Sequence, residues 1–386
     1  MRGPTGCHRN EIELERVVLN FEMMRKIPGT LVTWLLVALF CRSILLAANG
    51  NLTFYFVDVE GGAATLIVTP AGESMLADTG NPTQDDRDAK RIFQAAQAAG
   101  LTKIDYLLIT HYDGDHVGGA PALAKLIPIE HFLDHGDSSQ TNSPQGARLW
   151  EGYKSISEGK RRSMKAGERV PLKGVQVQTV SSNGEVIAKA INGGKANPLC
   201  AGAQNKGLDP TENVFSLGFL LTYGKFKFLD VGDLTWSKEM ELACPVNKLG
   251  MVTVFQATHH GFQNDRSGAP ALVFAIRPQV VVVNNGPRKG LGVQEGYASL
   301  DGAPLPSTTD IYERITKIPG IEDIWQGHLA LANDKNHNTD ERMIANLEPT
   351  ADCKGNWIRM VVQSNGAFTI TNGRNNFSKS YAALAR

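Results

Sequence analysis

The stretch Thr110-His111-Tyr112-Asp113-Gly114-Asp115-His116-Val117-Gly118-Gly119 decides the fold of this chain. It follows an apolar run, Tyr106-Leu107-Leu108-Ile109, which predicts a buried strand that delivers polar side chains at its C-terminal end. Its histidines and aspartates alternate closely, and imidazole together with carboxylate suits zinc or a similar divalent ion. Burying these groups side by side is costly unless a cation offsets their charge. The stretch therefore predicts a metal site at the end of a strand.

Other short motifs surround this stretch in a recognisable order. They are Phe56-Val57-Asp58-Val59-Glu60-Gly61-Gly62-Ala63-Ala64, Ala77-Asp78-Thr79-Gly80, Phe228-Leu229-Asp230-Val231-Gly232-Asp233 and Thr258-His259-His260-Gly261. Each is weak alone, but the set in this order resembles the metallo-β-lactamase superfamily. The family signature His-x-His-x-Asp-His has Asp113 in place of its second histidine here, a variant similar to the hydrolase domain of bacterial competence (DNA-uptake) channel proteins. The resemblance spans about residues 52 to 290 and implies an α/β fold of the αββα sandwich type.

The resemblance also implies two neighbouring metal sites that share one carboxylate. The implied ligands are His111, Asp113, Asp115, His116, Asp233, His259 and His260. The first two serve one metal, the next two serve the other, and Asp233 bridges them; the sequence leaves open which of the two adjacent histidines completes the second site. Asp115, Asp233 and His260 are taken as the catalytic residues. The implied ion is zinc, one or two per chain, with manganese as the alternative because the ligand set is rich in carboxylate.

Several residues near these motifs are candidates for supporting roles. Asp78 is expected to orient the loop that carries the ligands. The family's third histidine for the first metal is missing from Ser181-Ser182-Asn183-Gly184, so His135, at the end of a predicted strand, is a candidate replacement; the alternative is a capping or surface histidine. Arg288 and Lys289 follow another predicted strand and are candidates to hold an anionic substrate group, or else they form a solvated basic turn.

The expected activity is that of a metal-dependent hydrolase. The competence-like variant favours cleavage of a phosphodiester by metal-activated hydroxide, since a bound ion brings the pKa of water toward ~7. The alternatives are a lactone or amide hydrolase of the β-lactamase kind and a binding protein with a degenerate site. The expected partner is a small-molecule or phosphodiester substrate. The formal net charge is zero, so nucleic-acid binding would need a local basic patch, and the oligomeric state cannot be predicted.

The chain divides into three predicted parts. Residues 1–48 form a leader, in which Arg25 and Lys26 precede an apolar run of ~10 residues that ends before Arg42, a length too short to span a bilayer. This pattern predicts a secretory signal and hence a secreted or periplasmic protein, with a retained membrane anchor as the alternative. Residues 49–303 form the hydrolase domain. Residues 304–386 form an extension packed on it, with a hairpin around Ser364-Asn365-Gly366.

Cysteine usage leaves two alternatives open for the region after the leader. Cys200, Cys244 and Cys353 show no metal-binding spacing. In an oxidising compartment one disulfide and one leftover thiol are expected, and otherwise all three stay unpaired. The sequence alone does not pair them.

Overall fold

The computed structural model describes residues 50–191, 194–294, 296–348 and 353–384. The predicted leader lies outside the described residues, so the signal and the anchor both stay predictions. Within the described part, no helix is both long and apolar enough to cross a membrane.

The first half of the fold builds most of one sheet and the helices on its outer face. Its strands are β1 (Leu52–Phe56), β2 (Thr65–Val68), β3 (Ser74–Ala77), β4 (Ile104–Leu108), β5 (Ile129–Asp134) and β6 (Arg161–Ser163). Its helices are α1 (Arg87–Ala98), α2 (Gly114–Val117), α3 (Ala120–Leu126) and α4 (Pro144–Ser157). β1 to β3 form an antiparallel meander, and β3 to β6 run parallel. The basic residues Arg161 and Arg162 lie on the edge strand β6.

The second half builds a second sheet with its own helices. Its strands are β7 (Arg169–Val170), β8 (Gln176–Ser182), β9 (Glu185–Val186), β10 (Lys195–Ala196), β11 (Gly218–Tyr223), β12 (Phe226–Asp230), β13 (Val246–Asn247), β14 (Val254–Gln256), β15 (Val280–Val283), β16 (Asp323–His328) and β17 (Ile344–Asn346). Its helices are α5 (Trp236–Ala243), α6 (Pro270–Ile276) and α7 (Thr308–Thr316). The strand order is β17-β16-β15-β14-β12-β11-β8-β7, with β9 beside β8, while β10 and β13 pair apart from it. β12, β14, β15, β16 and β17 run parallel.

The chain then returns to the first sheet. Its last strands are β18 (Ile358–Val362), β19 (Phe368–Asn372) and β20 (Ser378–Tyr381). β18 pairs with β1 so that Leu52 lies opposite Val362 and Phe56 opposite Ile358. The predicted C-terminal hairpin is confirmed as β18 and β19. Of the strands that follow residue 303, β16 and β17 belong to the second sheet and β18 to β20 belong to the first. The hairpin therefore extends the first sheet and does not rest on its surface.

The two sheets pack face to face with helices outside, which confirms the αββα sandwich. Side chains alternate between the faces of each strand. Phe54 and Phe228, from opposite sheets, meet in the central core with their ring centroids 4.8 Å apart. Ile92 of α1 belongs to the core outside the first sheet, and Val281 belongs to the core outside the second. The all-valine strand β15 is buried on both faces, as expected for a central parallel strand.

One disulfide is present among the described cysteines. Cys200 is bonded to Cys244, at the C-terminal end of α5. Cys353 is buried and not in a disulfide. The first of the two cysteine alternatives is therefore the one found.

Candidate metal centre

The predicted ligands all lie in loops that leave the carboxyl ends of strands. The stretch from His111 to His116 follows β4, Asp233 follows β12, and His259 and His260 follow β14. β4, β12 and β14 each run parallel to a neighbour, so the loops that follow them gather at one edge of the sandwich. Sequence positions up to 149 apart are thereby brought into contact (111 to 260).

A glycine permits the two halves to approach each other here. Gly232 has a φ of +55°, and a Cβ at this position would lie 2.8 Å from the Cβ of Thr110. A larger residue would push the Asp233 loop away from the histidine loop. The motif Gly232-Asp233 therefore requires its glycine for packing as well as for backbone conformation.

Asp233 lies at the centre of the cluster. Its Oδ2 contacts the Nε2 atoms of four histidines at 3.9, 3.3, 3.5 and 3.3 Å, those of His111, His116, His259 and His260 respectively. The side chain is almost fully buried. Asp233 is therefore placed where it could contribute to both predicted metal sites, and its role as a shared ligand stays a prediction.

One group of donors gathers around Asp115. Its Oδ2 lies 3.3 Å from His116 Nε2 and 3.0 Å from His260 Nε2. The two ring nitrogens are 3.3 Å apart, and with Asp233 all four donor atoms lie within 4.8 Å of one another. The structure thus groups His260 with Asp115 and His116, whereas His259 lies against Asp233 and lines the adjacent cleft.

The other group consists of His111 and Asp113 beside Asp233. His111 Nε2 lies 3.6 Å from Asp113 Oδ2, and Asp113 Oδ1 accepts a hydrogen bond from Gln140 at 2.7 Å. Among the described residues, His111 Nε2 is buried without a hydrogen-bond partner. An unpaired buried nitrogen that faces two carboxylates fits a cation between them.

The charges of the cluster are compatible with a bound cation. Burial opposes ionisation of Asp115 and Asp233, but nearby His116 outweighs it and holds the pKa of both carboxyls well below the usual range, with help from Lys289 and His260 respectively. Burial likewise disfavours the charged form of His116, yet Asp233 and Asp78 raise its pKa well above the ordinary value. Protons on imidazole therefore supply the positive charge that a bound divalent ion would bring. The donors fit zinc or manganese chemistry.

Asp78 holds the histidine loop in place. Its Oδ2 lies 2.7 Å from His116 Nδ1, and its two oxygens accept hydrogen bonds from the amide and hydroxyl of Thr110, each at 2.8 Å. Such a contact fixes the imidazole so that its other nitrogen faces the cluster. This is the arrangement expected from the sequence.

The turn after β14 is conformationally strained. His259, His260 and Gly261 have φ values of 52°, 55° and 93°. The left-handed region is unfavourable for residues with a Cβ and is retained mainly where surrounding contacts enforce it. The turn sets the two imidazole rings 65° apart in plane, so adjacent histidines face different surroundings.

The remaining predicted residues divide between the cluster and other places. Lys289 Nζ lies 2.5 Å from Asp115 Oδ2. Arg288 is exposed and does not line the cleft. His135 bonds through Nε2 to Glu212 at 2.9 Å, with both side chains fully buried, so its nitrogen faces that carboxylate and not His111 or Asp113.

Sequence reasoning missed most of the cleft beside the cluster. This cleft has a volume of about 340 Å³. Its further lining residues are Gln140, Thr211, Asn213, Gln263, Asn264, Arg266, Gln294 and Tyr297. They lie in polar segments whose sequence has no helix or strand periodicity. Of these residues, the sequence could have indicated only Gln263, Asn264 and Arg266, because they closely follow Thr258-His259-His260-Gly261.

Comparison with known proteins agrees with this geometry. Residues 57–172 match the family model described as the metallo-beta-lactamase superfamily. The fold is of the metallo-β-lactamase type, and over part of its length the chain is similar to metal-dependent hydrolases of that superfamily.

The chain is also similar to Recombination protein 2 of Haemophilus influenzae, at 26% identity over 65% of this chain and 26% of that protein. A UPF0173 metal-dependent hydrolase of Cupriavidus metallidurans is 43% identical over 18% of this chain and 23% of its own length. The chain thus spans about a quarter of the length of these curated relatives. Among solved structures, the metallo-beta-lactamase fold protein YhfI from Bacillus subtilis has a TM-score of 0.39 and 10% identity, over 71% of this chain and 96% of that one.

Proposed function

We propose that this domain hydrolyses a phosphodiester in the cleft beside the metal centre. The observation that carries the proposal is the pairing of a carboxylate-rich donor set with a cation at the same cleft. Asp113 gives the first site a harder and more anionic environment than a second histidine would. Lys289, which bonds Asp115, brings a positive charge to the place where a phosphate oxygen would approach.

The lining of the cleft supports a polar substrate. Gln263, Asn264 and Arg266 are among the side chains that line it. Polar side chains of this kind suit a phosphodiester with its flanking polar groups. Tyr297, 46% exposed, offers an aromatic face at the rim of the same cleft. The similarity to Recombination protein 2 is a further support for this substrate class.

The side chains divide the chemical work. When bound, a divalent ion supplies Lewis acidity that makes a water molecule more acidic. Asp233 and Asp115 hold the donor set together, and Asp78 keeps His116 aimed at it. Lys289 can offset charge that develops on the phosphorane-like oxygens.

A metal-titrated assay tests the proposal. Bis-p-nitrophenyl phosphate, a lactone and a β-lactam are offered side by side to protein reconstituted with manganese or zinc. We expect phosphodiester cleavage, stimulated more by manganese than by zinc. Turnover of the lactone or β-lactam with no phosphodiester cleavage under either metal would overturn the substrate class, and no turnover of any substrate would favour a binding protein.

We also propose that the protein is secreted or periplasmic. The Cys200–Cys244 bond supports this location because disulfides persist mainly in oxidising compartments. Intact mass after expression in a secreting bacterium checks it. A mature chain that begins near residue 49 is expected, and a chain that keeps residues 1–48 and stays with membranes would favour the anchor.

A further inference from the structure

A second group of metal-binding side chains lies outside the hydrolytic cleft. It consists of Asp58, His328 and Cys353, here called the Cys353 cluster. His328 Nε2 lies 2.9 Å from Asp58 Oδ2, and Cys353 Sγ lies 3.6 Å from His328 Nε2 and 3.7 Å from Asp58 Oδ2. All three side chains are buried, with at most 7% exposure.

The three donors come from distant parts of the chain. Asp58 follows β1 in the first sheet, His328 ends β16 in the second, and Cys353 precedes β18. The cluster therefore connects the two sheets with the segment that leads into β18. Neither the predicted metal site nor the proposed reaction uses any of them.

We propose that the Cys353 cluster is a structural zinc site. Zinc binds thiolate at about 2.3 Å and imidazole or carboxylate at about 2.0–2.2 Å, so tetrahedral ligand atoms lie roughly 3.3–3.6 Å apart. The separation of Cys353 Sγ from His328 Nε2, 3.6 Å, lies in this range, and that from Asp58 Oδ2, 3.7 Å, lies just above it. The 2.9 Å contact between Asp58 and His328 needs to open by a few tenths of an ångström. The mixture of sulfur, nitrogen and oxygen donors suits zinc better than magnesium or calcium.

Glu60 is the fourth ligand in this arrangement. One of its carboxylate oxygens, together with the three other donors, forms a set whose atoms all lie within 4.8 Å of one another. Its oxygens bond Arg91 at 3.0 Å and Arg87 at 2.7 Å. A set of four protein ligands leaves no position for substrate, which is typical of structural and not catalytic zinc.

Arg91 supports the cluster from outside. Its guanidinium donates to the Asp58 carbonyl at 3.1 Å, to Glu60 at 3.0 Å and to the Cys353 carbonyl at 2.8 Å. It also lies 3.4 Å from Asp58 Oδ2, the proposed ligand oxygen itself. Such contacts orient anionic ligands and offset the charge that a thiolate adds. The two carboxylates and the thiolate would offset most, but not all, of the positive charge of zinc and the two arginines.

Cobalt substitution tests the site in the full-length chain. A variant that carries Cys7→Ser and Cys41→Ser keeps Cys353 as its one cysteine outside the Cys200–Cys244 bond, and changes none of the described residues. Loaded with Co²⁺, it is expected to show thiolate-to-cobalt charge-transfer absorption. The hydrolytic centre has no sulfur ligand, so it cannot produce this signal. Absence of the absorption at full cobalt loading would overturn the proposal.

Two further variants separate this site from the hydrolytic one. Adding Cys353→Ser should abolish the absorption and lower bound zinc by about one equivalent, and unchanged zinc content would contradict the proposal. Asp233→Ala, which alters the hydrolytic centre, should lose activity yet keep the absorption. Loss of the absorption in a folded Asp233→Ala variant would overturn the proposal of an independent site at the Cys353 cluster.

Discussion

Asp233 is the residue on which both halves of the hydrolytic centre depend. Its Oδ2 contacts four imidazoles, so Asp233→Ala should disturb every bound ion. We expect turnover to fall by at least ~10²-fold while the circular dichroism spectrum stays that of the wild type. Kinetics together with elemental analysis measure this.

Asp230 provides a matched control for that variant. It is equally buried, but it accepts hydrogen bonds from Gln256 and the Gly232 amide and contacts none of the histidines. Asp230→Asn should therefore keep most of the metal and activity. Wild-type turnover in a folded, metal-loaded Asp233→Ala protein would refute the role of the shared ligand.

Lys289 and Arg288 are adjacent cations with different surroundings. Lys289 lines the cleft and bonds Asp115, whereas Arg288 is exposed away from it. Lys289→Ala should raise KM for a phosphodiester by roughly tenfold, because a charge-assisted contact to phosphate contributes about 1.5–3 kcal/mol. Arg288→Ala should leave KM within a factor of two. Steady-state kinetics measure both KM values. Equal effects of the two substitutions would show that Lys289 has no specific role in substrate binding.

At the scale of elements, helix α5 carries a carboxyl that titrates unusually. Burial raises the pKa of Glu239 to about 8, and its Oε2 accepts a hydrogen bond from the Ala269 amide at 2.8 Å. The unfolded chain releases this proton at the ordinary, lower pKa, while the folded chain keeps it. The stability that Glu239 contributes is therefore complete at acidic pH and is lost as the pH rises through about 8.

Glu239→Gln should remove this part of the pH dependence. The thermal midpoint of the wild type should fall between pH 6 and pH 8.5 by at least ~2 °C more than that of the variant, since about 1 kcal/mol corresponds to a few degrees in a large domain. Differential scanning fluorimetry at the two pH values measures it. Glu241→Gln, at an exposed position of the same helix, should behave as wild type. Parallel curves for wild type and Glu239→Gln would contradict the expectation.

Most elements of the sandwich could be predicted from local pattern. Gly100, with a φ of +73°, follows the C-terminal end of α1, and the Asn365-Gly366 turn joins β18 to β19. β16 was not predicted, because its sequence Asp-Ile-Trp-Gln-Gly-His is half polar and has a glycine. Its polar side chains are satisfied by distant partners, such as Asn338 for Gln326 at 2.9 Å. Such contacts leave no local trace in the sequence.

The site shows the same division between local and distant information. Asp113 and Asp115 were identified because they share one short stretch with two histidines. His135 was a reasonable candidate by its position at the end of β5, but its partner Glu212 lies 77 residues away. The choice between His259 and His260 depends on backbone dihedrals that residue type does not determine. The Cys353 cluster could not be predicted from the sequence because its members lie in three separate segments.

At the scale of the whole molecule, the C-terminal strands complete the first sheet. A chain that stops after residue 348 would lack β18 and leave the buried strand β1 with one edge unpaired. Exposed apolar edges promote aggregation, so this truncation should be found mainly in the insoluble fraction.

A shorter truncation serves as its control. A chain that stops after residue 376 loses only β20 and keeps the pairing of β1 with β18. It should stay largely soluble with a lower thermal midpoint. Centrifugation and quantification of the soluble fraction compare the two, and equal solubility of both would show that β18 is dispensable.

The pairing of β1 with β18 also determines when the first sheet can be completed during synthesis. Residue 52 pairs with residue 362, which is 310 positions later (362 − 52), so the free edge of β1 stays unpaired until then. At synthesis rates of about 5–20 residues per second, this wait is roughly 15–60 s. Throughout that interval the nascent chain presents an open strand edge to its surroundings, and long-range closures of this kind are intrinsically slow. We therefore expect the nascent chain to need protection from aggregation until β18 has been made.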